Sequence, residues 1–531
     1  MKKTLLALCA VCSLQAPAQN PYLPLWEYIP DGEPYVFEDP DKPGHQRVYI
    51  YGSHDSLIDM YCGREQVVWS APVEDLNAWR YDGIIFKSER GSDGRYLNAD
   101  GKADVLYAPD VTEVTEKDGT KTYYLFPNNQ TGGRNGMVAK AKRPDGPFEV
   151  CNWSLDDPTK VDGLWGFDPA CFVDDDGRVY GYWGFGTPYA AELDPKTMAT
   201  VKPGTDIVEY VVTGLDKEGP FNFYEASSMR KIGDKYVFIF SRRTRPGEFG
   251  LGESNYTLAY GYGDNPLGPF TYGGTIIDGR ARGVDENGKT IFTAYPNGNT
   301  HGSLCNINGK WWLFYHRQCG LTEYSRQPMV SPVEVKVQPG KGGKVTISEA
   351  EFNSEGFSVE GLNPTFKTPA GLACYFVGPE GAREEWPNFI FSGSYIKNTY
   401  FDPNSYEGPF NQKIPFCPVV NNTDGSTVGY KYFNFSQLAG RRNVDFYCHV
   451  VPEGVDAEVD IVVGSPYISK GGKLIGSFKL DKAMPQKMTE ISVPVSIPAK
   501  MTGKQPLFFI FRSPEHGKST CQFHDFHFLP H

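Results

Sequence analysis

Asp168 heads the stretch "GFDPACFVDDDGRVYGYWG", among aromatic and apolar neighbours, where a carboxylate is costly to bury unless something uses it. Four other polar residues head stretches of the same layout: an apolar strand, a glycine-containing turn about eight residues on, then an aromatic strand. Glu225 heads "EASSMRKIGDKYVFIFS", His301 heads "HGSLCNINGKWWLFYHR" and Asp110 heads "DVTEVTEKDGTKTYYLFPN". Asp31 heads "DGEPYVFEDPDKPGHQRVYIYGSHD", with a longer loop. Two carboxylates across a pocket are the tools of acetal hydrolysis. One, protonated, donates to the leaving oxygen; the other, ionised, activates water or attacks. A third carboxylate nearby raises the proton affinity of the acid by like-charge repulsion. Asp31, Asp168 and Glu225 supply such a trio if they meet. Any single Asp at a hairpin start could instead satisfy local backbone N–H groups. Five heads in phase, with a Glu and a His among them, favour convergence.

The element that makes them converge is legible in their spacing. The heads lie 79, 58, 57 and 76 residues apart, each step long enough for a four-stranded sheet with its loops. Five such units predict a five-bladed β-propeller, whose inner strands all start near one end of the central axis. Composition agrees with an all-β chain. Aromatics make up 14% of residues, Gly and Pro number 58 and 41, and helical periodicity is scarce. At 531 residues the chain is too long for one core. The propeller is expected over 20–335. "VQPGKGGKVTISEAEF" and "NSEGFSVEGLNPTFKTPAG" read as connecting strands and linker over 336–387. From 388 to 531 strands such as "GSTVGYKYFNFSQ", "DAEVDIVVGSP" and "QPLFFIFRS" predict a jelly-roll-like β-sandwich.

The ends and the charge bound the partners. Lys2 and Lys3, the apolar run 5–14 and Ala16-Pro17-Ala18 read as a signal peptide over 1–18, followed by an exported product, periplasmic or secreted. The run is below spanning length, so no membrane span is expected. Net charge is −12, or −14 once the two lysines leave, a poor match for nucleic acid or anionic lipid. A neutral partner fits better, and the aromatic content suits a surface that stacks on sugar rings, as a polysaccharide or oligosaccharide would offer. Nine cysteines remain beyond the leader, without a CxxC among them, which disfavours zinc.

The stretches "IPDGEPYVF", "LYAPDVTEV", "GFDPACFVDDDG", "FYEASSMRKIGDKYVF" and "GNTHGSLCNINGKWWLFYHR" resemble, in order, the blade motifs of glycoside hydrolase family 43. That resemblance implies a five-bladed propeller acting with inversion on arabinose-, xylose- or galactose-containing polysaccharides. It implies that Asp31 is the general base, Asp168 the residue that tunes and orients the acid, and Glu225 the general acid. It places Asp110 near the pocket as a substrate-binding residue and Arg317, in "YHR", toward a substrate hydroxyl. It implies that His301 contacts a structural cation on the axis, often Ca2+, directly or through water; the chemistry itself needs no cofactor. Two departures stand out: Asp31 is followed by Gly32 rather than Pro, and Glu225 by Ala226-Ser227-Ser228 rather than Gly-Pro or Ala-Pro. The tail resembles carbohydrate-binding module family 6. The expected activity is an exo-acting α-L-arabinofuranosidase, with a β-xylosidase or exo-β-galactosidase as alternatives. A non-catalytic polysaccharide-binding protein is the alternative from another class. Loops 90–103 and 242–261 are expected to set linkage preference.

Overall fold

The computed structural model describes residues 19–57, 60–88, 105–129, 136–152, 163, 166–295, 298–379, 382–385, 388–391, 393–403, 417–441 and 443–531. Residues 1–18, expected to be a signal peptide, and the loop 90–103 lie outside the described residues.

Each predicted head is followed by an antiparallel hairpin. The pairs are Glu33–Glu38 with Gln46–Tyr51, Asp110–Thr115 with Lys121–Phe126, and Ala170–Val173 with Val179–Trp183. Phe223–Ile232 with Lys235–Arg242, and Ser303–Ile307 with Lys310–Gln318, complete the five. The first four hairpins grow into four-stranded sheets; the fifth adds Arg326–Val333 as its third strand. These are five blades of an all-β propeller, as the spacing predicted.

The blades hold together by burying both faces. Every residue of the strand Val179–Trp183 is buried, because a blade has a neighbour on each side. Separate apolar cores fill the seams: Tyr49, Val68, Val111 and Leu125 between the first and second blades; Phe126, Val138 and Val179 between the second and third. Tyr182, Phe223, Phe238 and Phe240 fill the third seam, and Ile239, Leu258, Leu304 and Leu313 the fourth. Ile50 and Trp69 of the first blade meet Trp312 and Phe314 of the fifth, sealing the ring together with Tyr22, Trp26 and Ile29 of the N-terminal segment. Asn20 finishes the closure. Its amide donates to the Val330 carbonyl (2.7 Å) and accepts from the Val330 N–H (2.9 Å), as a strand neighbour would.

The C-terminal region is a β-sandwich of two antiparallel sheets over one aromatic core that includes Tyr430, Phe446, Phe509 and Phe526. It starts earlier than the expected residue 388. Thr368–Pro369 already pairs with Cys521–Pro530, and Tyr375–Val377 with Thr427–Asn434. These strands are too short to show an alternating pattern in the sequence. The segment before them is no free linker either: Val335–Val337 and Val345–Ile347 form a hairpin, and Val345 and Ile347 join the core of the fourth seam. The nine described cysteines are free thiols, eight of them buried.

Candidate active site

Asp31, Asp168, Glu225 and His301 line one cavity of about 370 Å³ at the end of the propeller where the inner strands begin. All four are buried. Backbone positions there adopt left-handed conformations that side chains disfavour, among them Asp31 (φ 59°), Cys62 (φ 63°), Asp168 (φ 51°) and Ala226 (φ 64°). Such a position costs about 1–2 kcal/mol for a residue with a Cβ, less for Asp, and strain of this kind gathers at functional sites. At Ala226 its use is visible. The strand Phe223–Ile232 slips register on both sides of Glu225, and the bulge turns the Ala226 N–H onto Asp168 Oδ2 at 3.0 Å. Asn128 Nδ2 donates to the other oxygen of Asp168, also at 3.0 Å.

The environments drive the carboxylates apart. Burial alone would raise the Asp31 pKa. The Arg326 guanidinium, at 3.0 and 3.1 Å, outweighs it with help from His301 and the Ser53 hydroxyl (2.5 Å), so Asp31 lies below its ordinary value. Glu225 moves the other way. Burial, then the charges of Asp168 and Asp31, push it well above the usual carboxylate range, against His301 and Arg326. Asp168 is raised to about 6, by burial and by Asp31, with His301 and the Ala226 N–H opposing. At neutral pH this is one ionised base, one protonated acid and a charged neighbour of the acid.

His316 is neutral: burial pulls its pKa down to about 3. Its Nδ1 therefore accepts from the Asp31 N–H (3.2 Å), and Nε2 faces the Asn299 carbonyl (3.0 Å) as donor. His301 is raised to about 9: burial opposes the charge, but Glu33, Asp168 and Asp31 outweigh it. Its ring lies 3.6 Å from Glu33 and 3.7 Å from Asp168, beyond direct hydrogen bonding. These surroundings do not fit a directly ligated cation. Among the described residues no group of three or more His, Cys, Asp or Glu side chains is arranged to hold a metal ion. Arg230 already neutralises Glu33 at 2.6 Å.

Two expected substrate contacts are corrected. Asp110 does not line the cavity. Its oxygens accept from the Tyr35 hydroxyl (2.7 Å) and from the N–H groups of Val111 (2.8 Å) and Cys171 (2.7 Å), which fastens three blades together. Arg317 points away from the cavity. It binds Gln327 and the carbonyls of Gly371 and Ala373, and so pins the sandwich to the fifth blade. Alternation along the strand puts its neighbour His316 on the site instead. Arg326, which bridges Asp31 and Asp55, was missed; "YSRQPMV" carries no signal that sets it apart. Glu33 and Ser53 were missed for the same reason.

The model of glycosyl hydrolases family 43 matches residues 42–338. A xylosidase/arabinosidase of Thermoclostridium stercorarium is 32% identical over 93% of this chain and 96% of its own length. An arabinoxylan arabinofuranohydrolase of Paenibacillus polymyxa is 26% identical over 66% of this chain and 54% of its own. A solved family 43 arabinoxylan arabinofuranohydrolase from Bacillus subtilis, in complex with cellotetraose, aligns over 96% of this chain and 97% of its own, with 21% identity and a TM-score of 0.45.

Proposed function

The chain belongs to glycosyl hydrolases family 43 and is a glycoside hydrolase, and from that premise we propose that it releases α-L-arabinofuranosyl groups from plant polysaccharide side chains with inversion. One observation carries the mechanism: within a single cavity Asp31 is held below its ordinary pKa and Glu225 well above it. Asp31 takes a proton from water as that water attacks the anomeric carbon. Glu225 gives its proton to the glycosidic oxygen on the opposite face, and the carbon–oxygen bond breaks. Asp168 keeps Glu225 protonated until then, and the Ala226 N–H keeps Asp168 aimed. The residues need no cofactor for this chemistry.

The names of the relatives support the substrate class, and because several join xylosidase with arabinosidase, β-D-xylosides are the second reading. Aryl α-L-arabinofuranosides, β-D-xylosides and β-D-galactosides, assayed side by side, separate these readings. Proton NMR of the first-formed anomer tests inversion; a retained configuration removes Asp31 as base. Export to the periplasm or medium, directed by 1–18, belongs to the same proposal, as does a carbohydrate-binding role for the sandwich. A structural calcium ion would belong to it only as an ion that His301 meets through water, since the residues around His301 do not fit direct ligation. Melting after exhaustive chelation, with and without added calcium, reads that ion.

A further inference from the structure

The geometry points to Phe185 as the platform for the polymer sugar that carries the leaving oxygen, a role that rests on the hydrolase reading above. Phe185 is 55% exposed, yet it lines the cavity beside Glu225. The turn that carries it is fixed on both sides. Gly184 donates its N–H to the Phe167 carbonyl (2.8 Å), and Gly186 donates to the Tyr224 carbonyl (2.7 Å). Phe167 and Tyr224 are the residues immediately before Asp168 and Glu225. Gly184 admits no side chain: its φ is 141°, and a Cβ would stand 2.0 Å from the Thr187 carbonyl oxygen. The ring leans on Phe167 (5.4 Å, 78°) and Tyr224 (4.9 Å, 58°).

The result is an aromatic ring held rigidly at the pocket mouth, with more than half its surface open. Folding gains little from leaving that surface in water. A sugar ring complements it, because its C–H face covers apolar area while its hydroxyls stay hydrated at the rim. The side is set by Tyr224, which joins Phe185 to the acid. The leaving oxygen must lie on Glu225, so the unit departing with it lies toward Phe185. The opposite wall, with Tyr61 and Arg326, belongs to the base. Phe185 therefore selects the polymer sugar that is left behind rather than the sugar released. An aromatic contact of this size is worth about ten-fold in affinity.

The test compares the wild type, Phe185→Ala and Phe185→Trp on two substrates of the same pentose: an oligosaccharide with a sugar–sugar bond, and the glycosyl fluoride, whose leaving group occupies no ring site. Phe185→Ala should lose about ten-fold more kcat/KM on the oligosaccharide than on the fluoride, chiefly through KM, and Phe185→Trp should recover the difference. Equal losses on both, or none on the oligosaccharide, would overturn the platform. If the wild type cleaves neither pentosyl substrate, the functional reading falls and the platform with it. If it cleaves both and the ratio stays flat, only the platform falls.

Discussion

Arg326 meets both oxygens of Asp31 through a single nitrogen, at 3.0 and 3.1 Å, while its other two nitrogens close on Asp55 at 2.9 and 2.8 Å. One buried guanidinium thus serves two buried carboxylates and keeps one of them ionised in the cavity. Removing it lets the Asp31 pKa rise, so the acidic limb of kcat/KM should move to higher pH in Arg326→Met. Breaking such a buried pair also costs about 3–5 kcal/mol. Arg326→Lys, which keeps the charge without the fork, should fold better and shift the limb less. An acidic limb unmoved in both variants means that Asp31 is not the group titrating there.

Asp168→Asn should act on the other limb. Its charge is the strongest electrostatic push on Glu225 after burial. Without it the Glu225 pKa falls toward its ordinary value, and the alkaline limb moves to lower pH. The Ala226 and Asn128 donors lose a charged acceptor, so kcat should fall as well. A pH–rate profile with its alkaline limb in place removes Asp168 from the tuning of the acid.

The acid and the base are separated by leaving group. Dinitrophenolate departs without a proton, whereas a sugar alkoxide needs one. Glu225→Gln should therefore lose far more rate on a sugar–sugar linkage than on a dinitrophenyl glycoside. Asp31→Asn should lose heavily on both, since water must be activated whichever group leaves. Equal impairment of Glu225→Gln on the two substrates would show that the proton comes from elsewhere.

Arg317→Met tests the joint between the domains. It deprives the buried carbonyls of Gly371 and Ala373 of their donor, at about 1–3 kcal/mol for each group left unsatisfied. Calorimetry should give a lower melting temperature, and the pH profile per folded molecule should stay in place because Arg317 does not reach the cavity. A shifted profile with unchanged melting would return Arg317 to the site.

Much of this was legible beforehand, for a physical reason. A propeller repeats one hairpin, so Asp168, Glu225 and His301 announce themselves by phase, and the turns after them fall where glycine stands. The phase failed at Asp110, whose head position is spent on fastening blades, because five inner strands offer more head positions than the cavity has walls. It was silent on Arg326, which enters from a third strand rather than an inner one. Arg317 and His316 differ by a single step along a strand, and composition cannot say which of two adjacent polar residues faces inward when both faces are buried. The early sandwich strands were invisible because two or three residues cannot carry a period.

The closure at Asn20 bears on how the chain reaches this state. Asn20 meets Val330 and Asn353, and Tyr28 meets Thr399, across sequence separations of 310, 333 and 371 residues. The first blade thus finds its last neighbours only after most of the polypeptide has been made. Contacts this distant carry a large loop-closure entropy and slow the search for the native state. Until they form, the Trp69 and Ile50 face of the first blade has no partner and is exposed to association with other chains. The closure thus works as a clasp whose two halves lie at opposite ends of the polypeptide.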